Sequence, residues 1–343
     1  MKLEVVNIDK ETNYQGWLDY RQSGIGGSEV GTILGLNPWK SSAELYYQKI
    51  GMLPLGTDEK VAMLMGNELE PLVRGIYAYW DHSISDQKEA NLQALVAKKS
   101  GVEPSRYIYE ATGYVVNPEF PHLFFSPDGL VLKDQKYKTA ILRSGILNTD
   151  HIDHVIEVKT ISGWAAKQWD GGVPPSYYAQ IMTYLMGLGL EYSYLVSMED
   201  GRNISCLRLD YDAEFAEQIV HHTNDFWQRV EAGREAIETG EDYDEYCPPP
   251  DGSQAYESFL KKKYDNPEEN TIFNPDPEVV EWARLHIEAQ KQKKKIEESE
   301  MLYKQKLQDR LGNRTILDLG PNGKVTWRPN ANGSRVFRNA YKG

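Results

Sequence analysis

The chain has 343 residues, 40% hydrophobic and 11% aromatic, which is ample for a packed core and opposes a disordered reading. Its formal net charge of −13 excludes a protein that simply coats DNA, because such proteins present broad basic faces; an enzyme with a local groove and an acidic metal site remains compatible. Two cysteines, Cys206 and Cys247, are too few for a four-cysteine zinc or iron–sulfur centre and read as free thiols of a reducing, cytoplasmic compartment. The opening residues, MKLEVVNIDKETNYQGW, lack the apolar region of a signal peptide. No apolar run reaches the roughly 18 residues of a membrane span, and no G-x-x-x-x-G-K-[ST] occurs. Neither a membrane nor a nucleotide cofactor is expected.

The first patterned segment, residues 21–51, carries Gly24, Gly26 and Gly27. Ser28 is expected to cap a short helix that Gly35 ends. Backbone N–H groups at such a helix start form an anion site, and Arg21 upstream adds a charge-assisted contact to phosphate. Ser41-x-x-Glu44 is a capping box of purely structural use. In MGNELEPLVRGIYAYW, residues 65–80, Leu69, Val73, Ile76 and Trp80 make an apolar helical face. Glu70 lies at its margin, about 100° round from Leu69, within reach of a site at the core edge.

FFSPDGLVL, residues 124–132, places Asp128 at a strand bend, with Gly129 there to permit unusual backbone angles. The long stretch that follows, KDQKYKTAILRSGILNTDHIDH, reads as an inserted loop or an extra hairpin. Next comes HVIEVKT, residues 154–160. Alternation sets Val155, Glu157 and Lys159 on one face of a strand and Ile156 and Val158 on the other. His151 and His154 form H-x-x-H, but residues three apart on a strand do not share a face, so they are read as non-ligands. In PSYYAQIMTYLMGLG, Tyr177, Gln180 and Tyr184 fall on one helical stripe. A helix is predicted from Ala213 to Thr239, and its His221-His222 is read as incidental.

GEDYDEYCPPPDGS then marks a boundary, giving domains at 1–245 and 246–343. The second part is expected to hold a long helix from about Pro277 to Leu311 and a terminal hairpin turning at Pro321-Asn322-Gly323. Trp282, Ala289, Ile296 and Tyr303 repeat every seven residues, but Gln292 and Ser299 are polar. A helix lying on another surface therefore fits better than a coiled coil.

Pro127-Asp128 followed by Glu157-Val158-Lys159 is the PD-(D/E)xK arrangement. The expected fold is an α/β core of the restriction-endonuclease type, a central mixed sheet flanked by helices. Phosphodiester hydrolysis needs a hard cation on oxygen ligands, and Mg²⁺ takes one or two carboxylates plus waters and phosphate oxygens; Mn²⁺ is expected to substitute. A lysine beside that cation orients the attacking water or stabilises developing charge.

The order W-x-x-x-R-x-x-G-I-G-G-S-E-V, G-x-x-x-E, S-P-D-G-L, E-V-K and Y-x-A-Q, from Trp17 to about Met198, resembles the lambda-type alkaline exonucleases and YqaJ-like phage recombination nucleases. The resemblance implies metal ligands at Asp128, Glu157 and the Val158 carbonyl, with Glu70 at a second metal through water and Lys159 positioning the nucleophile. It places Arg21, Ser28 and Ser126 on a 5′-phosphate and gives Tyr177 and Gln180 supporting roles. It implies 5′→3′ digestion of one strand from double-stranded DNA ends, a homo-oligomeric ring, with a trimer favoured, and a single-strand annealing protein as partner. Lys261 to Lys263, Lys291 and Lys293 to Lys295 are candidates for the ring's channel. The alternatives are an endonuclease on the same core and a non-catalytic DNA-binding assembly protein; the complete set Glu70, Asp128, Glu157 and Lys159 opposes the latter.

Overall fold

The computed structural model describes residues 1–8, 12–55, 61–111, 113–166, 169, 172–266 and 276–342. It divides into two compact units, Met1–Asn266 and Pro267–Gly343.

In the first unit, β1 (Lys2–Val6), β2 (Ile25–Gly26), β4 (Tyr114–Val116), β5 (Leu123–Phe125) and β7 (Ile146–Asn148) form one sheet in the order β2-β5-β4-β1-β7. A second sheet holds β3 (Tyr107–Tyr109), β6 (Gly129–Leu132), β8 (Ile152–Ile161), β9 (Tyr192–Glu199) and β10 (Asn203–Asp210), in the order β10-β9-β8-β6-β3. It is mixed, because β8 and β9 run parallel while its other pairs are antiparallel. Around the sheets lie α1 (Tyr14–Gln22), α2 (Gly27–Ile33), α3 (Ser42–Lys49), α4 (Val61–Tyr77), α5 (Gln87–Lys99), α6 (Lys136–Ser144), α7 (Gly163–Ala166), α8 (Pro175–Leu188), α9 (Ala213–Thr239) and α10 (Gln254–Lys263). The expected mixed α/β core with flanking helices is what the chain forms. Among the described residues no helix is long and apolar enough to cross a membrane.

The period-two pattern of β8 sorts its side chains into two cores. Val155 joins Leu130, Leu195, Ile181 and Phe226, the core beneath α8 and α9. Ile156 and Val158 join Val73, Ile76, Trp80 and Val196, the core beneath α4 and α5. The apolar face expected for residues 69–80 is therefore the face that α4 buries. The helix predicted from Ala213 to Thr239 has those bounds, with Asp212 capping its start and Gly240 in the left-handed conformation at its end.

Three expectations change. The stretch after Leu132 is neither a loop nor a hairpin: it forms α6 and then β7, which pairs antiparallel with β1. Gly129 has no positive φ; a Cβ there would come within 2.7–2.9 Å of Ile108 and Ile156 side-chain carbons, so close strand packing is the reason for glycine. The division at 245/246 moves to 266/267, because the proline-rich segment straps α10 onto the first unit. Phe259 and Tyr256 are buried there, the Phe259 ring lies 5.3 Å from Tyr47, and Tyr46 donates to the Tyr243 carbonyl at 2.6 Å. Lys261, Lys262 and Lys263 are held in ion pairs with Glu257, Glu44 and Asp244.

The second unit consists of α11 (Pro277–Leu311) and the sheet β11 (Ile316–Asp318), β12 (Gly323–Pro329) and β13 (Arg335–Tyr341), in that order. The hairpin turn at 320–322 is present, and a third strand joins it. Leu311 is the buried residue of α11.

Candidate active site

The chain changes sheets between Phe125 and Gly129. β5 ends in the first sheet and β6 begins in the second, so Ser126, Pro127 and Asp128 form the crossing. Gly129 pairs with Ile156, which brings Asp128 level with Glu157 and Val158 on β8. Beyond that point β8 has lost β6 as a neighbour. The Val158 N–H donates instead to Asp128 Oδ2 at 2.6 Å. An acidic side chain thus completes the ladder and is fixed beside the E-x-K strand.

Glu157 is 1% exposed. Its Oε1 accepts from Lys159 Nζ at 2.5 Å and from Gln180 Nε2 at 2.6 Å. Its Oε2 is buried with no hydrogen-bond partner among the described residues. Such an atom ordinarily costs folding free energy, and functional sites are where such exceptions occur. Gln180 and Tyr184 project from one stripe of α8, and Gln180 donates to Tyr184 Oη at 3.0 Å. Tyr184 in turn donates to the Ser126 carbonyl at 3.1 Å, tying α8 to the sheet crossing. Lys159 Nζ also lies 5.1 Å from the centre of the Tyr177 ring.

Glu70 approaches from α4 and accepts from Arg74 Nη1 at 2.6 Å. The same guanidinium donates to the Asp128 carbonyl at 2.7 Å and pairs with Glu110. Arg74 is therefore a positioning residue that sequence reasoning missed; its signal was the i,i+4 spacing from Glu70.

The electrostatics are those of crowded carboxylates. Burial, then the Glu157 charge, pushes the Asp128 carboxyl up to about 7. Burial raises Glu157 as well, against the pull of Lys159, and Glu70 is raised by burial and by Asp128. Burial would lower the Lys159 ammonium, but Glu157 and Asp128 outweigh it and hold it above its ordinary value. Among the described residues no three carboxylate, imidazole or thiol side chains converge as a metal cluster. What converges is the pair Asp128 and Glu157, an orphaned carboxylate oxygen and one lysine. In a strand the N–H and C=O of one residue face the same neighbour, so the Val158 carbonyl is turned toward Asp128 too. An all-oxygen set with few protein ligands suits Mg²⁺, which keeps several waters.

The glycine-rich segment differs from expectation in detail. Gly26, not Ser28, is the N-cap of α2; the Glu29 carboxylate accepts the Gly26 N–H at 2.9 Å. Ser28 is an exposed first-turn residue. Arg21 donates to Glu29 at 3.2 Å rather than standing free, and Lys49 closes the cluster at 2.7 Å from Glu29. A Cβ at Gly27 would run into the Tyr184 ring, and one at Gly24 into Phe124, so packing accounts for both. β2 pairs parallel with β5, which leads into Ser126. Ser126 is exposed, and its Oγ donates to the Gly113 carbonyl at 3.1 Å. His154 is buried between Tyr77 (2.7 Å) and Asp153 (2.7 Å) on the opposite face of β8 from Glu157. His151 stacks on Tyr137, and His221 and His222 are exposed on α9.

This chain is similar to several known proteins. The uncharacterized protein YqaJ of Bacillus subtilis (strain 168) is 26% identical over 272 residues, 78% of this chain and 69% of that relative. The crystal structure of an alkaline exonuclease from Laribacter hongkongensis aligns with a TM-score of 0.47 at 20% identity, over 66% of this chain and 97% of that one. A phage related exonuclease from Haemophilus somnus 129PT aligns at 0.38 and 10% identity, over 65% and 99% of the two chains. The profile of the YqaJ-like viral recombinase domain matches residues 16–190, half of the chain and every element that supplies Glu70, Asp128, Glu157, Lys159 and Gln180. The chain belongs to the YqaJ-like viral recombinase domain family.

Proposed function

We propose that this protein is a divalent-metal-dependent nuclease that hydrolyses double-stranded DNA, working as a 5′→3′ exonuclease from duplex ends. One observation carries the reading. Among the described residues Glu157 Oε2 is buried without a partner, beside the Asp128 carboxyl and the Lys159 ammonium, in a site whose carboxyls are raised by burial first and by neighbouring carboxylates second. A hard cation held there would supply the missing partner and offset the buried negative charge. Asp128, Glu157 and the Val158 carbonyl would hold it, and Glu70, steadied by Arg74, would act through water. When bound, Mg²⁺ supplies an acidified water and offsets charge on the scissile phosphate. Lys159 orients that water and stabilises the developing charge. Gln180 fixes the Glu157 carboxylate, and Tyr177 and Tyr184 hold Lys159 and Gln180 in place. Ser28 in the first turn of α2 and Ser126 at the sheet crossing, both exposed, are the proposed contacts for the terminal phosphate, together with Arg21. A homo-oligomeric ring and a single-strand annealing partner complete the reading.

The test is digestion of linear duplexes labelled at one or the other end, with Mg²⁺, with Mn²⁺ and with excess chelator. Loss of cleavage in chelator and in Asp128→Ala and Glu157→Ala is expected, with release from the 5′ end. Full activity in chelator overturns the reading. Ready nicking of closed circular DNA replaces the exonuclease with an endonuclease on the same centre.

A further inference from the structure

The second unit carries charge of the opposite sign to the rest of the chain. From Gly312 to Gly343 the sequence has six basic residues (Arg314, Lys324, Arg328, Arg335, Arg338, Lys342) and one acid, Asp318, within a chain of net charge −13. The sheet β11-β12-β13 sorts these cations by face. Along β12, Val325 is buried, while Lys324 and Arg328 are exposed on the other side with Thr326 between them. The register pairs Thr326 with Arg338, so Arg338 stands across the strands from the midpoint between the two β12 cations. Lys324 and Arg328 are about 13–14 Å apart along the strand, and Arg338 is one strand spacing, roughly 5 Å, to the side.

Among the described residues these three cations have no side-chain hydrogen-bond or ion-pair partner. Arg335, on the opposite face, shows what a structural arginine looks like here: it stacks 3.7 Å from the Trp327 ring centre and donates to the Gly312 and Arg314 carbonyls. Among the described residues the side-chain ion pairs of the second unit lie on α11, joining Arg284 to Glu281 and Glu288 and Lys293 to Glu297. Lys324, Arg328 and Arg338 enter none. Asp318 is level with Lys324 in the register, but its carboxylate caps the turn by accepting the Gly320 N–H. The three line one concave surface with Thr326 and Asn330.

We propose that this sheet face binds the phosphate backbone of duplex DNA without regard to sequence, as a second contact apart from the cleavage centre. This rests on the nuclease reading for the choice of polyanion. Unpaired cations with a hydroxyl between them match phosphate contacts, which position a protein on DNA but read no bases. The aromatic residues of these strands, Trp327, Phe337 and Tyr341, alternate to the opposite face, so the basic face has no stacking platform of the kind that holds single strands.

The experiment uses the full chain, in chelator so that no cleavage occurs. Binding of two fluorescent duplexes of unrelated sequence is followed by anisotropy across a salt series. For Lys324→Gln/Arg328→Gln/Arg338→Gln, affinity should fall roughly tenfold or more on both duplexes. The slope of log K against log salt should become shallower by about 2–3. With metal restored, KM should rise while kcat stays unchanged. Arg328→Lys/Arg338→Lys keeps the charges and should keep the slope, which separates lost charge from a damaged sheet. Unchanged affinity and slope in the triple variant, where wild type binds DNA, overturn the proposal and leave the nuclease reading intact. Absence of duplex binding by wild type overturns both. Unchanged DNA affinity with a changed oligomer mass by light scattering also overturns it and assigns the face to self-association.

Discussion

Glu29 and Glu157 are both buried carboxylates of the first unit, 4% and 1% exposed, yet their surroundings are opposite. Glu29 has both oxygens occupied: Arg21 on Oε1, Lys49 and the Gly26 N–H on Oε2. Burial alone would raise it, but Lys49 and Arg21 outweigh that and hold it at about 2. Burial in turn brings the Lys49 ammonium down to about 8, so the pair is charged between those limits. Glu157 has one cation, two neighbouring carboxyls and an oxygen with no partner. The first arrangement is complete by itself and holds α1, α2 and α3 together. The second leaves Glu157 Oε2 without a partner among the described residues. The contrast separates a carboxylate that serves the fold from one that the fold tolerates, and it places the Arg21 guanidinium on the first.

The largest expected effect is at the incomplete site. Lys159→Ala should slow single-turnover cleavage by about 10²–10³ or more while calorimetry still detects metal binding. Unchanged cleavage would remove Lys159 from the chemistry.

Next is stability, where the two carboxylates should respond differently. Glu29→Gln leaves Lys49 buried beside a neutral amide and should cost about 3–5 kcal/mol. That lowers the unfolding midpoint by roughly 6–20 °C, while cleavage per folded molecule persists. Glu157→Gln should abolish cleavage without a comparable loss of midpoint in chelator. Equal destabilisation by the two substitutions would erase the distinction.

The pH dependence has opposite signs at the two sites. The folded Glu29 carboxyl is depressed, so its stabilisation is present above the unfolded value near 4.5 and is lost as pH falls toward about 2. The folded Asp128 carboxyl is raised to about 7, so the metal-free protein loses stability as pH rises from about 4 to about 7. Asp128→Asn keeps an acceptor for the Val158 N–H and removes the charge. In chelator its midpoint should exceed that of wild type by a few °C at pH 8 and match it near pH 4. Parallel curves for the two proteins would contradict the burial and the Glu157 charge that raise the Asp128 carboxyl.

The smallest effect concerns the 5′ end. Wild type should digest a 5′-phosphorylated duplex faster than the 5′-hydroxyl form. Arg21→Ala should narrow that ratio by no more than about tenfold, since Glu29 already holds the guanidinium. A ratio unaffected by Arg21→Ala returns Arg21 wholly to the ion-pair cluster.

Much of the centre was legible because it depends on local periodicity. Alternation along residues 154–160 put Glu157 and Lys159 on one side of β8, and the three- and four-residue steps of α8 put Gln180 and Tyr184 on one stripe. The apolar face of residues 69–80 set the side from which Glu70 approaches. These patterns belong to the backbone's own repeat and need no partner to be read. Contacts between residues remote in the chain carry no such period. That β5 and β6 belong to different sheets, that Asp128 completes the ladder at Val158, and that Arg74 braces Glu70 against the Asp128 carbonyl were decided only by packing. So were the pairing of Lys49 with Glu29, the collision of any Gly27 side chain with Tyr184, and the strapping of α10 across what composition marked as a boundary. In the second unit, alternation alone separates Lys324 and Arg328 from Val325, but it took the register of β13 to place Arg338 beside them and Arg335 on the far side, because pairing between strands is a tertiary choice that neither strand encodes by itself.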